Sequence, residues 1–122
     1  MSETQTYNGS CHCGAVTFKA EGPFTQGVTC NCSICLRSGY ILSFVPAARF
    51  ELLSGKDALT DYQFGKKHIH HTFCSRCGVR PFSHGAAPDG GEVFAVNLRC
   101  LDGLDLGAVK IDQFEGKNIP LD

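Results

Sequence analysis

The chain has no tryptophan, a single methionine, and no excess of charge of either sign. Eleven Lys and Arg stand against twelve Asp and Glu, for a net charge of −1. The missing basic excess argues against a nucleic-acid surface, whose footprint is a cluster of Lys and Arg. No run of about 18 apolar residues occurs, so no helical membrane span is expected. Met1 to Ser10 is polar and lacks the apolar centre of a secretory signal, so a cytoplasmic location is expected. Repeats, low-complexity tracts and linkers are absent as well, and residues 1–122 read as a single domain. A chain this short buries a modest share of its surface, so metal cross-links would help it.

What the chain does have is cysteine, eight in 122 residues. Such a count fits either a secreted disulfide scaffold or an intracellular thiolate–metal protein. Spacing favours metal. Cys11 and Cys13 are separated by one residue, as are Cys30 and Cys32; Cys35 follows, and Cys74 and Cys77 are separated by two. Clusters this tight suit loops whose sulfurs converge on one ion. Zinc takes four tetrahedral ligands in a structural site and leaves one position open in a catalytic site. Cys11, Cys13, Cys74 and Cys77 together make a closed set, and Cys30, Cys32 and Cys35 make an open one. Spacing alone does not force that division, because Cys74 and Cys77 can equally complete the middle cluster. The four-plus-three division is preferred because it leaves no clustered cysteine idle. A histidine or Cys100 can also close the three-cysteine site. Cys100 stands alone and reads first as a small buried hydrophobe, with a late ligand or a neighbour of the open site as the sharper reading.

Short apolar runs broken by Gly, Pro and Asp predict a mainly β domain. Strands are expected over Ala15–Ala20, Gly27–Cys30, Tyr40–Val45, Phe50–Leu53, Leu59–Phe64, His68–Phe73, Arg80–His84, Glu92–Asn97 and Ile111–Phe114. A helical turn or two is expected around Ser33–Ser38, ended by Gly39, with Leu104–Val109 as another turn or a loop. Gly14 and Gly78, each directly after a cysteine, fit tight metal-binding knuckles that need a positive φ. Alternation puts His68 with His70 on one strand face and His71 with Phe73 on the other. His71, close in sequence to Cys74, is the histidine singled out for function, and His12 points to solvent. Arg37, Arg76, Arg80 and Arg99 lie near the cysteines and balance thiolate charge. Arg37 and Arg99 are the two marked for contact with substrate carboxylates.

At this point the sequence resembles the glutathione-dependent formaldehyde-activating family, which also contains centromere protein V. The resemblance runs from Gly9 to about Asn118. It is carried by Gly9-Ser-Cys-His-Cys-Gly-Ala-Val-Thr-Phe18 and Cys30-Asn-Cys-Ser-Ile-Cys-Leu-Arg-Ser-Gly39, then by His71-Thr-Phe-Cys-Ser-Arg-Cys-Gly78 and Asn97-Leu-Arg-Cys-Leu-Asp-Gly103. It implies a β-tent of folded antiparallel sheets with zinc knuckles and little helix. It further implies two zinc ions per chain: a structural one on Cys11, Cys13, Cys74 and Cys77, and a catalytic one on Cys30, Cys32 and Cys35. The implied activity is carbon–sulfur lyase chemistry, in which glutathione adds to formaldehyde to give S-hydroxymethylglutathione. A small-molecule thiol such as glutathione is then the expected partner. The chain is shorter than the enzyme that names the family. A non-catalytic zinc-stabilised binding module is the competing expectation, and a thiol-redox sensor a third.

Overall fold

The computed structural model describes residues 5–63, 69–87 and 90–114. Ten strands and one α-helix order the described residues: β1 (Thr6–Ser10), β2 (Thr17–Glu21), β3 (Gln26–Cys30), α1 (Ser33–Ser38), β4 (Leu42–Pro46), β5 (Phe50–Ser54), β6 (Leu59–Tyr62), β7 (Ile69–Cys74), β8 (Phe82–Ala86), β9 (Glu92–Asn97) and β10 (Lys110–Phe114). The strands make a three-stranded sheet, β1-β2-β5, and a seven-stranded sheet, β10-β3-β4-β9-β8-β7-β6. The fold is therefore mainly β, as expected.

Most expected strands appear within a residue or two of their forecast limits, and Glu92–Asn97 and Ser33–Ser38 match at both ends. The forecast ends at Phe64 and His68 fall outside the described residues. Two features depart from expectation. β1 is not among the expected strands, and β10 runs parallel to β3, from Lys110 opposite Gln26 to Phe114 opposite Cys30. The other strand pairs are antiparallel. Leu106–Ala108, where either a turn or a loop is expected, is a single 3-10 turn capped by the Asp105 side chain.

The two sheets meet through aromatic rings. Phe18 of β2 is fully buried and stacks on Phe50 of β5 at 5.3 Å between centroids. Its edge meets Phe82 of β8 at 5.7 Å. Phe50 stacks in turn on Phe94 of β9 at 4.1 Å. Burying a phenylalanine contributes about 1.5–3 kcal/mol, so this four-ring contact is a main fastening between the sheets. It also explains Gly9. A Cβ at residue 9 would clash with the tip of the Phe18 ring, so β1 can lie over that ring only because residue 9 has no side chain. Val16, Val96 and Leu98 complete the dry centre.

Residues directly opposite each other in an antiparallel pair share a sheet face. Leu42 lies opposite Asn97, Ser83 opposite Ala95, and His71 opposite Ser83. These residues, with Phe73 two along from His71 and Tyr40 two before Leu42, share the face turned away from the four-ring contact. Tyr40, Leu42 and Ala95 pack there against Cys35. That face is unusually polar for a buried one, since His71, Ser83 and Asn97 are each 7% exposed or less.

Candidate metal centres

Cys11 and Cys13 occupy the loop between β1 and β2, Cys74 ends β7, and Cys77 sits in the turn that follows. Their four sulfurs lie within 4.8 Å of one another. Cys13 Sγ is 3.7 Å from Cys11 Sγ and 3.7 Å from Cys74 Sγ. A tetrahedron with metal–sulfur bonds of about 2.3 Å has edges of about 3.8 Å. The donor set therefore has the chemistry and the size for a zinc ion, and the same chemistry suits other thiophilic metals.

The loops that shape the cluster resemble one another. The Cys11 amide donates to the Val16 carbonyl at 3.0 Å, and the Cys74 amide donates to the Val79 carbonyl at 2.9 Å. Each loop turns at a glycine in the left-handed region, Gly14 at φ 83° and Gly78 at φ 80°. A side chain there would strain the turn that brings the second sulfur back toward the first. The Val16 amide also donates to Cys11 Sγ at 3.3 Å, a contact that favours a thiolate. The amides of Val79 and Cys13 bring Cys77 down to about 6. The Ala15 amide works in the same direction on Cys13, but burial and the other three sulfurs outweigh it and push that thiol up to about 11. Four thiols that compete this way for their protons are brought to a common charged state by a divalent cation.

The second cluster forms where β3 runs into α1. Cys30 ends the strand, Cys32 is the N-cap of the helix and Cys35 lies within it. The helix closes at Gly39, φ 71°, whose amide donates to the Cys35 carbonyl. The three sulfurs also lie within 4.8 Å of one another, and all three residues are half-buried. The Cys32 amide donates to Cys30 Sγ at 3.4 Å. Burial, then the Cys32 sulfur, pushes Cys35 up to about 12. Burial works against Cys32 too, but the Cys35 amide and the neighbouring sulfurs outweigh it and its pKa falls. Tyr40 is buried beside the cluster, its hydroxyl 3.8 Å from Cys35 Sγ. Burial, then the charge of Cys35, holds that phenol above its ordinary range, so it keeps its proton.

The remaining forecast residues fall elsewhere. Arg37 is exposed and folds onto its own helix, Nη1 donating to the Ser33 carbonyl at 2.9 Å. Arg99 is exposed, and its amide is held by Asn97 Oδ1 at 3.2 Å. Cys100 packs against the main core, where burial and then the charges of Cys11 and Cys77 push its thiol up to about 11. It neighbours the four-sulfur cluster, not the three-sulfur one. His71 lies on the polar face with Tyr40, three strands across the sheet, and Cys74 lies on the opposite face of β7. Tyr40 and Arg80 are the further residues at this face: Tyr40 packs against Cys35 directly after the helix, and Arg80, expected only as a balancing charge, is placed by its contacts with Phe73 and Asn97.

A mainly β chain that gathers seven of its eight cysteines into a four-sulfur and a three-sulfur set is, by class, a thiol-cluster protein with donor sets of the right size for metal ions. The family model described as "Glutathione-dependent formaldehyde-activating enzyme" matches residues 6–116, and the chain belongs to that family. A Halomonas elongata protein whose name places it in the same family is 34% identical over 82 residues, covering 57% of this chain and 50% of the relative. The chain thus spans about half the length of that curated relative. The crystal structure of a Rhodobacter sphaeroides protein matches with a TM-score of 0.74 at 33% identity, over 86% of this chain and 99% of that one.

Proposed function

We propose that the protein is a zinc-dependent carbon–sulfur lyase-type enzyme acting on thiol–aldehyde adducts, with glutathione and formaldehyde as the first pair to test. One observation carries the reading. Three half-buried sulfurs converge within 4.8 Å, one donor short of a tetrahedral set, beside a polar sheet face. Family membership and the name of the Halomonas relative support the choice of substrates.

In this reading Cys11, Cys13, Cys74 and Cys77 hold a structural zinc, and Cys30, Cys32 and Cys35 hold a second ion with a position left for a ligand. The chemistry such an ion supplies when bound is a lowered thiol pKa and polarisation of a carbonyl oxygen. The reaction itself is a simple addition. The thiol sulfur bonds to the aldehyde carbon, the carbonyl π pair moves to oxygen, and the proton lost by the thiol ends on that oxygen. The chain's own part is to bring the two reactants together in a fixed orientation. Tyr40 offers a protonated hydroxyl 3.8 Å from Cys35 Sγ, a donor suited to a developing negative charge.

The test is the rate of exchange between glutathione, formaldehyde and S-hydroxymethylglutathione, followed by NMR with zinc-loaded protein. Wild type is expected to exceed the uncatalysed rate, and Cys32→Ser to return it to that rate. An exchange rate with wild type equal to the protein-free rate refutes the enzyme reading and leaves the binding module in its place.

A further inference from the structure

The polar face beside the three-sulfur cluster holds one cation, Arg80, with no counter-charge among the described residues. Arg80 precedes β8, and its guanidinium carbon lies 5.1 Å above the Phe73 ring. Phe73 belongs to the face that also carries His71, Ser83, Asn97 and Tyr40, so the guanidinium lies over that face. The Arg80 main chain is fixed there, because Asn97 Nδ2 donates to its carbonyl at 2.9 Å and the Asn97 amide donates to the Pro81 carbonyl at 3.0 Å. Nη1 is shielded from water and has no hydrogen-bond acceptor among the described residues. No carboxylate among the described residues forms an ion pair with it, whereas Lys19, His70 and His84 each have an acidic partner.

A guanidinium edge that is out of water and without an acceptor is costly to keep, and it persists most readily where an anion fills the gap. Sequence proximity makes Arg37 one candidate for a carboxylate contact, but its Nη1 is spent on its own helix and the side chain is exposed. Arg99 is exposed too. Arg80 alone of the three is held over the face that Cys35 and Tyr40 border. Asn97, which holds the Arg80 carbonyl, lies opposite Leu42, and Leu42 and Tyr40 pack with Cys35, so Arg80 and the three-sulfur cluster border the same sheet face. A carboxylate one or two residues from a thiol reaches about 4–7 Å. We infer that Arg80 binds the carboxylate of the thiol substrate and so makes the site selective for anionic, peptide-like thiols. The electrostatic pull of Arg80 on both Tyr40 and His71 agrees with that placement. The inference rests on the proposed thiol-binding role of Cys30, Cys32 and Cys35.

The test compares glutathione with glutathione diethyl ester, which keeps the thiol and masks both carboxylates. Binding of each to the zinc-loaded, reduced protein is measured by calorimetry for wild type, Arg80→Lys and Arg80→Gln. Wild type should bind glutathione about tenfold or more tighter than the ester. Arg80→Gln should abolish that difference by weakening glutathione alone, and Arg80→Lys should keep part of it. The ester comparison needs no variant, so a substitution that impairs folding does not remove the test. Equal affinity of wild type for the two ligands overturns the role of Arg80 while leaving the thiol-binding reading in place. Unchanged glutathione affinity in a folded Arg80→Gln protein does the same. Failure of wild type to bind either thiol overturns the thiol-binding reading and this inference with it.

Discussion

Replacing Cys74 with serine tests the four-sulfur cluster most sharply. Cys74 Sγ lies 3.7 Å from Cys13 Sγ across a sequence separation of 61 residues. A metal ion on this set is therefore a cross-link closing a long loop. By the chain-entropy relation for such a loop, losing the link returns about 4 kcal/mol of conformational entropy to the unfolded chain. That is a large part of the 5–15 kcal/mol or so that holds a typical domain together. With a urea m-value of about 2 kcal/mol per molar, the unfolding midpoint should fall by about 2 M. Serine also replaces a fully buried sulfur at the edge of the core, so this figure is a lower bound.

The assay pairs urea unfolding with metal content, both in reductant. All eight cysteines are free thiols, so reductant alone should leave wild type folded, while a strong chelator should lower its midpoint toward that of Cys74→Ser. Cys100→Ser is the matched control. It lies in the same core but outside both sulfur sets, so it should keep its metal and lose no more than about 1 kcal/mol. A Cys74→Ser protein with the wild-type metal content and midpoint would refute the cross-link. So would a wild-type midpoint indifferent to chelator.

Three further outcomes are expected. Gly9→Ala forces a methyl into the Phe18 ring and should cost about 1–3 kcal/mol by overpacking, read as a lower urea midpoint with metal content unchanged. Tyr40→Phe removes the hydroxyl 3.8 Å from Cys35 Sγ and should weaken zinc binding at the three-sulfur set by about 10–100-fold, leaving the four-sulfur set loaded; competition with a chromophoric chelator reads the two separately. His71 has its pKa lowered from 6.5, by burial first and then by the charge of Arg80. Below that ordinary value the unfolded chain binds more protons than the native one, so stability should fall as pH drops. His71→Gln should flatten this loss as the pH falls below about 6.5, measured by urea midpoints at fixed excess zinc.

The sequence shows most plainly those features that are local. Chelating clusters require sulfurs one to three residues apart, so all seven clustered cysteines announce themselves, as do Gly14 and Gly78 beside them. Strands whose residues alternate, such as Glu92–Asn97, are legible for the same reason. β1 is hidden because Asn8-Gly9 carries a turn signature, while the reason for glycine there is the Phe18 ring, eight residues beyond the strand's end and on the neighbouring strand. The parallel pairing of β10 with β3 is hidden because nothing local marks a strand's partner.

The arginines divide along the same line between local and non-local signals. Arg37 and Arg99 stand close to cysteines in sequence, and proximity alone would make them substrate contacts. A residue near a cysteine along a strand or helix is as often turned away from it, as His71 is from Cys74 at the end of the same strand. Residues gathered on one sheet face by cross-strand register have no such bias. Leu42 opposite Asn97, Ser83 opposite Ala95 and His71 opposite Ser83 extend one surface across four strands. The other surface of those strands supplies Phe82 and Phe94 to the apolar contact between sheets. One sheet therefore carries the core on one side and a polar floor on the other. Substitutions on the two sides should separate in their effects: stability for the rings, ligand selectivity for Arg80 and Tyr40.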